Sequence, residues 1–275
     1  MLRILWGSRS SMTAQQEKLD SISNNIANVN TEGYKKVDVS FKDLVYETLN
    51  RNGYPTNVKD GASSINGTGV RTADWTRDAS QGNLSETTQK TDLAIDGQGY
   101  FAVELPEKNA DGSSKLAYTR SGSFNLDADG SLVDKNGNRL FINFYEGTQQ
   151  EDKQFTKDNF TVDEQGRVIK TDGNVNKEVG KINLYNVVGQ DSLRSIGNSL
   201  YVIDTQNING VEVPVERPYL VEDSSIRQGL LELSNVDLTK EMTEMIVTQR
   251  AFELSSKAMR TADEMWGMAN NLRGR

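Results

Sequence analysis

The segment after residues 93–95 has the glycine spacing of a dinucleotide-binding loop. Gly97-Gln-Gly99-Tyr-Phe-Ala102 matches the pattern G-x-G-x-x-A, in which the glycines let the backbone approach a pyrophosphate. Such a site needs a helix directly after the glycines, whereas residues 100–105 continue as a second strand-like run. We therefore predict that the glycines form a hairpin turn between two strands and bind no nucleotide.

Asp127 and Asp129 are the second candidate for chemistry, because two carboxylates in one loop can hold calcium or act as the acid pair of a glycosidase. A calcium loop of the EF-hand type needs Glu at its twelfth position, where this sequence has Asn138. The pair is followed directly by Gly130, which is typical of a turn. We therefore predict a turn here, with no metal and no catalytic residue.

The composition excludes most kinds of active site. The 275-residue chain contains neither Cys nor His, which excludes disulfides, thiolate metal sites, the usual catalytic triads and most zinc sites. Its 39 acidic and 31 basic residues give a net charge of −8, which argues against a nucleic-acid partner. We expect a protein that is not an enzyme, uses no cofactor or small-molecule substrate, and has other proteins as partners. The sequence also has no classical signal peptide.

Apolar residues recur every seven positions at the N-terminal end, which predicts an amphipathic helix up to about residue 29. The stripe consists of Leu5, Met12, Leu19 and Ile26, with Ile22 and Val29 beside them. Thr31-Glu-Gly33 supplies a helix stop, because Gly tolerates the left-handed conformation that follows a C-terminus.

The C-terminal end shows the same seven-residue spacing and predicts a helix of about 35 residues. Its stripe consists of Leu238, Met245, Phe252, Met259 and Trp266, with Met242 and Ile246 beside them. Ser234 and Asp237 resemble a capping box at its start. The second row of the heptad is polar, because it holds Gln249, Ser256 and Asp263 where a strong coiled coil has apolar residues.

The middle of the chain has short strand-like runs separated by Asn-Gly and Asp-Gly pairs, which favour tight antiparallel turns. A weak repeat relates Phe124–Gly137 to Phe160–Gly173, and we interpret the two copies as hairpins of one domain. The sequence thus predicts an α+β fold, with paired, coiled-coil-like terminal helices and a central antiparallel all-β domain. The predicted boundaries are 1–50 and 232–275 for the helical assembly domain, 51–74 for an extended linker, and 75–231 for the β domain.

The two apolar stripes have polar flanks, so a helix-to-helix assembly seam buries them more economically than packing on the β domain would. Ordinary core helices packed on the β domain remain the alternative. Asn24, Asn25, Asn28 and Asn30 weaken the first helix near its end. They indicate either a frayed helix end or amides that bond to neighbouring chains or to the following loop.

Three parts of the chain resemble one known family. Ser11-Met-Thr-Ala-Gln-Gln-Glu-Lys-Leu19, continuing through Asn30 to Gly33-Tyr-Lys35, is similar to the N-terminal signature of flagellar rod and hook proteins. Residues 229–257, from Gly229-Leu-Leu-Glu to Lys257, are similar to their C-terminal signature. Asp92-Leu-Ala-Ile-Asp-Gly97 and Tyr118-Thr-Arg-Ser-Gly-Ser-Phe124 resemble the segments that open their β domain.

The resemblance implies a structural subunit of the flagellar basal-body rod, whose terminal helices form the inner layer of a tubular polymer. Its partners would be copies of itself, other rod and hook proteins, and the flagellar type III export apparatus, which cleaves no signal peptide. Asn235, Gln249 and Arg250, in the C-terminal signature, join the four asparagines as polar residues expected at subunit contacts. The length favours a rod over a hook subunit, and within the rod we favour the distal over the proximal part. The alternatives are a hook subunit or, in another class, a secreted carbohydrate-active or adhesive β protein.

Overall fold

We describe the fold from a computed structural model of the chain. The structure describes residues 2–44, 46–48, 65–67, 69–108, 114–156, 159–172, 175–189, 193–203, 205–208, 211–214, 217–221 and 223–273. The chain divides into two compact units. The first unit comprises Met1–Ala27, Val37–Thr76 and Asp237–Arg275, and the second comprises Asn28–Lys36 and Arg77–Val236.

The two long helices predicted at the ends of the chain are confirmed. Helix α1 spans Leu2–Ala27 and helix α2 spans Leu238–Arg273. The cap of α2 differs from the predicted capping box: the Asp237 carboxylate accepts the N–H groups of Thr239 at 2.9 Å and Lys240 at 3.2 Å. Asp237 is therefore the N-cap residue, because its oxygen satisfies donors that the first turn leaves free. Within the described residues, neither helix is long and apolar enough to cross a membrane.

Four short strands complete the first unit: β1 (Val37–Asp43), β2 (Tyr46–Thr48), β3 (Ile65–Gly67) and β4 (Val70–Arg77). Strand β1 pairs with β4, and β2 pairs antiparallel with β3. Of the predicted linker at 51–74, residues 51–64 and 68 lie outside the described residues. Its described part includes β3 and most of β4, because partner strands are available to complete their backbone hydrogen bonds.

The second unit consists of short strands, and every strand pair described in it is antiparallel. The strands are β5 (Leu84–Glu86), β6 (Leu93–Asp96), β7 (Tyr100–Lys108), β8 (Ser114–Thr119), β9 (Asn125–Leu126), β10 (Leu132–Val133), β11 (Arg139–Leu140), β12 (Asn143–Phe144), β13 (Phe160–Val162), β14 (Arg167–Asp172), β15 (Val175–Lys181), β16 (Leu184–Asn186), β17 (Leu193–Gly197), β18 (Leu200–Ile203), β19 (Thr205–Ile208), β20 (Val211–Pro214), β21 (Tyr219–Leu220), β22 (Ser225–Gln228) and β23 (Leu230–Glu232). A 3₁₀ turn covers Gln150–Lys153. The predicted antiparallel β region is thus confirmed.

Two larger sheets enclose the core of the second unit. Nine strands form the first sheet, in the order β17-β18-β8-β7-β11-β10-β9, with β16 joining β7 to β21. Four strands form the second, in the order β12-β15-β14-β13. Fully buried Phe101, Phe124 and Phe160 lie in one apolar cluster, where Phe101 and Phe124 meet edge to face at 5.6 Å. This cluster is the core that holds the unit together.

The two copies of the sequence repeat form the same turn. In the first, the Gly130 N–H donates to the Asp127 carbonyl at 2.9 Å, between β9 and β10. In the second, the Gly166 N–H donates to the Asp163 carbonyl at 2.8 Å, between β13 and β14. The two strands pair in each copy, which confirms the two hairpins. The Asp127 turn is therefore a structural one, as predicted.

The hairpin predicted at Gly97 and Gly99 is wrong, although a strand does follow the glycines. Strand β6 pairs with β22, whereas β7 pairs with β8, β11 and β16. The chain therefore leaves one sheet and enters another at the glycines, both of which have positive φ angles. A second strand, rather than a helix N-terminus, follows them, so the arrangement that holds a pyrophosphate does not form.

Candidate assembly surface on the terminal helices

Helices α1 and α2 contact each other through polar side chains. The described pairs include the Ser11 and Ser255 hydroxyls at 3.0 Å, Lys18 and Glu244 at 3.4 Å, and Asn25 and Glu241 at 3.2 Å. Residue numbers rise along α1 as they fall along α2, so the two helices run antiparallel. Because polar pairs bond only in one alignment, they set the register of the two helices.

The row of α2 that faces α1 lies one residue earlier than the sequence predicted. It consists of Glu241, Thr248, Ser255 and Ala262, seven apart, of which Glu241, Thr248 and Ala262 are buried. Gln249 and Asp263, from the predicted second row, are exposed. Hydrophobic periodicity does not detect this row because its members are small or polar.

The predicted seam residues lie at different depths. In α1 and the turn that follows, Ile22 is buried, whereas Leu5, Met12, Leu19, Ile26 and Val29 are half-buried. In α2, Met245, Phe252 and Met259 are half-buried, whereas Leu238, Met242 and Trp266 are exposed. Their role at subunit contacts remains a prediction.

Asn25 holds the first strand against helix α1. Its side-chain amide donates to the Val37 carbonyl at 2.9 Å, and its side-chain oxygen accepts the Val37 N–H at 3.0 Å. The Ser21 hydroxyl donates to the same carbonyl at 2.6 Å. Asn25 is almost fully buried, so its amide completes the backbone hydrogen bonds of β1 within the chain.

The other predicted polar contact residues lie in different surroundings. Asn28 accepts the Thr31 hydroxyl at 3.1 Å, and Asn235 accepts the Lys36 N–H at 2.7 Å. Asn24, Asn30 and Gln249 are exposed, and Arg250 forms an exposed ion pair with Glu253 at 2.8 Å. The structure thus gives Asn25, Asn28 and Asn235 partners within the chain, and their contacts with other subunits remain a prediction.

Helix α2 exposes large apolar side chains away from α1. Val247, Leu254, Met265 and Met268, which we call the outer stripe, are 63%, 66%, 36% and 60% exposed. Their spacing of seven, eleven and three residues places them on one side of a helix with 3.6 residues per turn. Leu238, Met242 and Ile246, four residues apart, form a second exposed row near the start of α2. Large apolar side chains that are exposed along one side of a helix are candidates for contact with another protein.

The second unit contains a buried ionic cluster that the sequence analysis missed. Glu232, 1% exposed, accepts the Lys35 ammonium at 2.6 Å and bonds to the Arg120 guanidinium. Arg120 also donates to the backbone carbonyls of Gly97 and Gly99. These hydrogen bonds hold the backbone in the path that it takes at the two glycines. Burial lowers the pKa of Lys35 below its usual value, and its hydrogen bond with Glu232 opposes that effect.

A signal for this cluster was present in the sequence. Lys35, Arg120 and Glu232 each lie in one of the three segments that carry the family resemblance, although nothing in their spacing indicates that they meet. The described residues contain no group of three or more acidic side chains that could hold a metal.

Comparison with known proteins identifies the family. Three family models match: "Flagella basal body rod protein" at residues 8–35, "Flagellar hook protein FlgE/F/G D1 domain" at 94–145, and "Flagellar basal body rod FlgEFG protein C-terminal" at 227–272. The flagellar basal-body rod protein FlgG of Borreliella burgdorferi is 38% identical over 99% of both chains. The FlgG of Bacillus subtilis is 37% identical over 99% of this chain and 100% of its own length. The protein therefore belongs to the family of flagellar basal-body rod proteins.

Proposed function

We propose that this chain polymerises through the exposed apolar surface of α2 to form the wall of the flagellar rod. Its family makes it a structural subunit of the bacterial flagellar basal-body rod, and the basal body is its location. Membership in the rod and hook family also supports assembly with other rod and hook proteins. The mode of assembly is our inference from the geometry of the first unit.

The outer stripe is the observation that carries the proposal. The Leu254 side chain is 66% exposed, and the three other large apolar side chains of the stripe lie along the same side of the helix. Apolar surface left in water costs free energy that burial against a partner recovers, at about 25 cal/mol per Å². The small and polar seam with α1 leaves this stripe uncovered within its own unit, so neighbouring subunits are the natural means of burying it.

Several finer points are part of the same proposal. The partner is a second copy, which makes the assembly a helical homopolymer, and the α1–α2 pair acts as a coiled-coil-like inner layer. We propose the same domain boundaries and the same assembly residues that the sequence predicts. We also propose export by the flagellar export apparatus without a cleaved signal, a place in the distal rod, and no enzymatic activity.

The substitution Leu254→Asp tests the proposal. Because Leu254 is already exposed, the change should alter the stability of the free subunit by about 0.5 kcal/mol or less. In a polymer it places an unpaired charge in an apolar contact, at a cost of several kcal/mol per subunit. We expect a strain that carries only this variant to export the subunit but to lack swimming and complete rods in electron micrographs.

Asn270→Asp is the matched control. It introduces the same charge at an exposed position sixteen residues later, nearly opposite Leu254 on the helix. This strain should swim normally. Normal swimming and complete rods with Leu254→Asp would show that the outer stripe does not take part in assembly.

A further inference from the structure

A groove of about 330 Å³ opens in the first unit between α1 and strand β4. Trp6, Leu44 and Val70 give it apolar walls, and Arg9 and Arg71 also line it. Trp6 is 61% exposed beside the groove, with the Arg9 guanidinium 5.6 Å from its ring centroid. This volume is near the lower limit for sites that enclose a small molecule, so it suits a few side chains of a partner.

We infer that the occupant of this groove is the C-terminal half of the outer stripe, Met265 and Met268, from a second copy of the chain. This inference rests on the proposed function and names the surface that receives the stripe. Methionine is unbranched and flexible, so it fits irregular apolar grooves better than branched side chains do. Both methionines are exposed in the free chain and thus available to a neighbour.

Charge on the two surfaces favours this pairing. Arg9, Arg71 and Glu17 line the groove and leave it with a net positive charge. The segment 262–268 of α2 contains Asp263 and Glu264 and no basic residue. Opposite charges at the edge of an apolar contact select the right partner and its orientation. We place Glu264, which directly precedes Met265, next to Arg71 of the neighbouring subunit.

The two surfaces also have the right relation to produce a polymer. A contact between identical patches closes into a dimer, whereas a contact between two different patches continues from subunit to subunit. The groove is formed by α1 and β4, and the stripe belongs to α2, so each subunit presents one donor surface and one acceptor surface. Such a contact generates a ring or a helical assembly, depending on the rotation between subunits.

Cysteine cross-linking tests the pairing directly, because the natural chain has no Cys. The double variant Thr72→Cys with Met268→Cys places one thiol in the groove and one on the stripe. We expect mild oxidation of assembled rods to give a ladder of disulfide-linked multimers on a denaturing gel. The control variant carries Thr72→Cys with Asn270→Cys, since residue 270 points away from the stripe, and it should give no ladder.

The outcomes separate the two proposals. Complete rods and a ladder only from the 72–268 variant support the pairing. Complete rods without that ladder overturn the pairing and leave the proposed function intact. Failure of the unmodified chain to assemble into a homopolymer would overturn the proposed function itself.

A charge exchange decides the matter if the cysteine variants do not assemble. Arg71→Glu and Glu264→Arg should each reduce the swimming rate at least tenfold, and the double variant should restore it to within about threefold of the unmodified chain. A double variant no better than the single variants would overturn the pairing, because an exchanged ion pair keeps its attraction only when the two residues are in contact.

Discussion

The substitution Glu232→Gln should strongly destabilise the second unit. The Glu232 carboxylate accepts the Lys35 ammonium at 2.6 Å and the Gly82 N–H at 2.8 Å, and it bonds to the Arg120 guanidinium. Glutamine has nearly the same shape but no charge, and its side-chain amide NH₂, a hydrogen-bond donor, would face another donor. The change therefore removes the counter-charge of two buried cations and leaves the packing volume unchanged.

The size of the effect follows from burial. Lys35, Arg120 and Glu232 are 2%, 3% and 1% exposed, so water does not replace the lost partner. Removing one member of a buried ion pair costs about 3–5 kcal/mol, because the remaining charge is left without compensation. One carboxylate here serves two cations, so we expect a loss of about 4–5 kcal/mol in the free energy of unfolding.

Amide hydrogen exchange of the full chain measures this loss. All three tryptophans, Trp6, Trp75 and Trp266, lie in the first unit, so their fluorescence reports on that unit. Exchange in β7 and β8 reports on the second unit, and a loss of 4–5 kcal/mol should accelerate it by about 1,000-fold or more. Glu86→Gln, at an exposed site opposite Leu230, is the matched control and should change exchange less than threefold.

A loss of less than 1 kcal/mol in Glu232→Gln would refute this reasoning. It would mean that water or a rearranged neighbour replaces the carboxylate. Replacement of Lys35, Arg120 and Glu232 together by apolar residues of similar size should cost much less than Glu232→Gln alone, because no buried charge is then left unpaired. The same exchange measurement applies to that triple variant.

Two further predictions concern alkaline stability and helix α1. Burial raises the pKa of Tyr118 and of Tyr201 from 10.0 to about 12. Each tyrosine therefore contributes about 3 kcal/mol to the free energy of unfolding below pH 10. This contribution is lost as the pH rises from 10 to 12, because the tyrosines of the unfolded chain ionise in that range before those of the folded chain. Tyrosinate absorbance and circular dichroism should then change together, and tyrosine ionisation well before unfolding would contradict this. Asn25→Ala should destabilise the first unit by about 2–3 kcal/mol in tryptophan-detected urea unfolding, because it removes both hydrogen bonds between the buried Asn25 amide and the Val37 backbone and leaves the Val37 N–H without that acceptor. Ser23→Ala, at an exposed position, is the control, and equal midpoints for both variants would contradict the role of Asn25.

The sequence was sufficient for the elements that depend on local pattern. Seven-residue spacing located both terminal helices, and Asp-Gly turns at a fixed offset located two hairpins with the same geometry. The absence of Cys and His excluded disulfides, thiolate metal sites and catalysis by an imidazole. Signatures at the two ends and in the middle were sufficient to recognise the family. These features depend on residues close together in the chain, whose periodicity reflects the geometry of the helix or strand they form.

Tertiary structure alone decided which side of each helix meets its partner. The apolar spacing suggested that large side chains such as Met242 form the seam, yet Met242 is exposed and the row of α2 that faces α1 contains Glu241 and Ser255. The choice depends on polar pairs with α1, whose members lie more than 200 residues apart in the chain. Hydrophobic patterning cannot predict such pairs, since a polar side chain becomes part of a seam only when its partner reaches it.

The ionic cluster and the change of sheet at the glycines also depend on residues that lie far apart in the sequence, so the sequence did not predict them. Lys35, Arg120 and Glu232 look like ordinary surface charges until the fold brings them together, and their burial then depends on mutual compensation. Gly97 and Gly99 looked like a hairpin because adjacent strands usually pair, but β6 found its partner in β22 near the end of the chain. Sequence therefore determined the elements and the family, whereas contacts between distant residues decided how the elements meet and which apolar surface remains open for assembly.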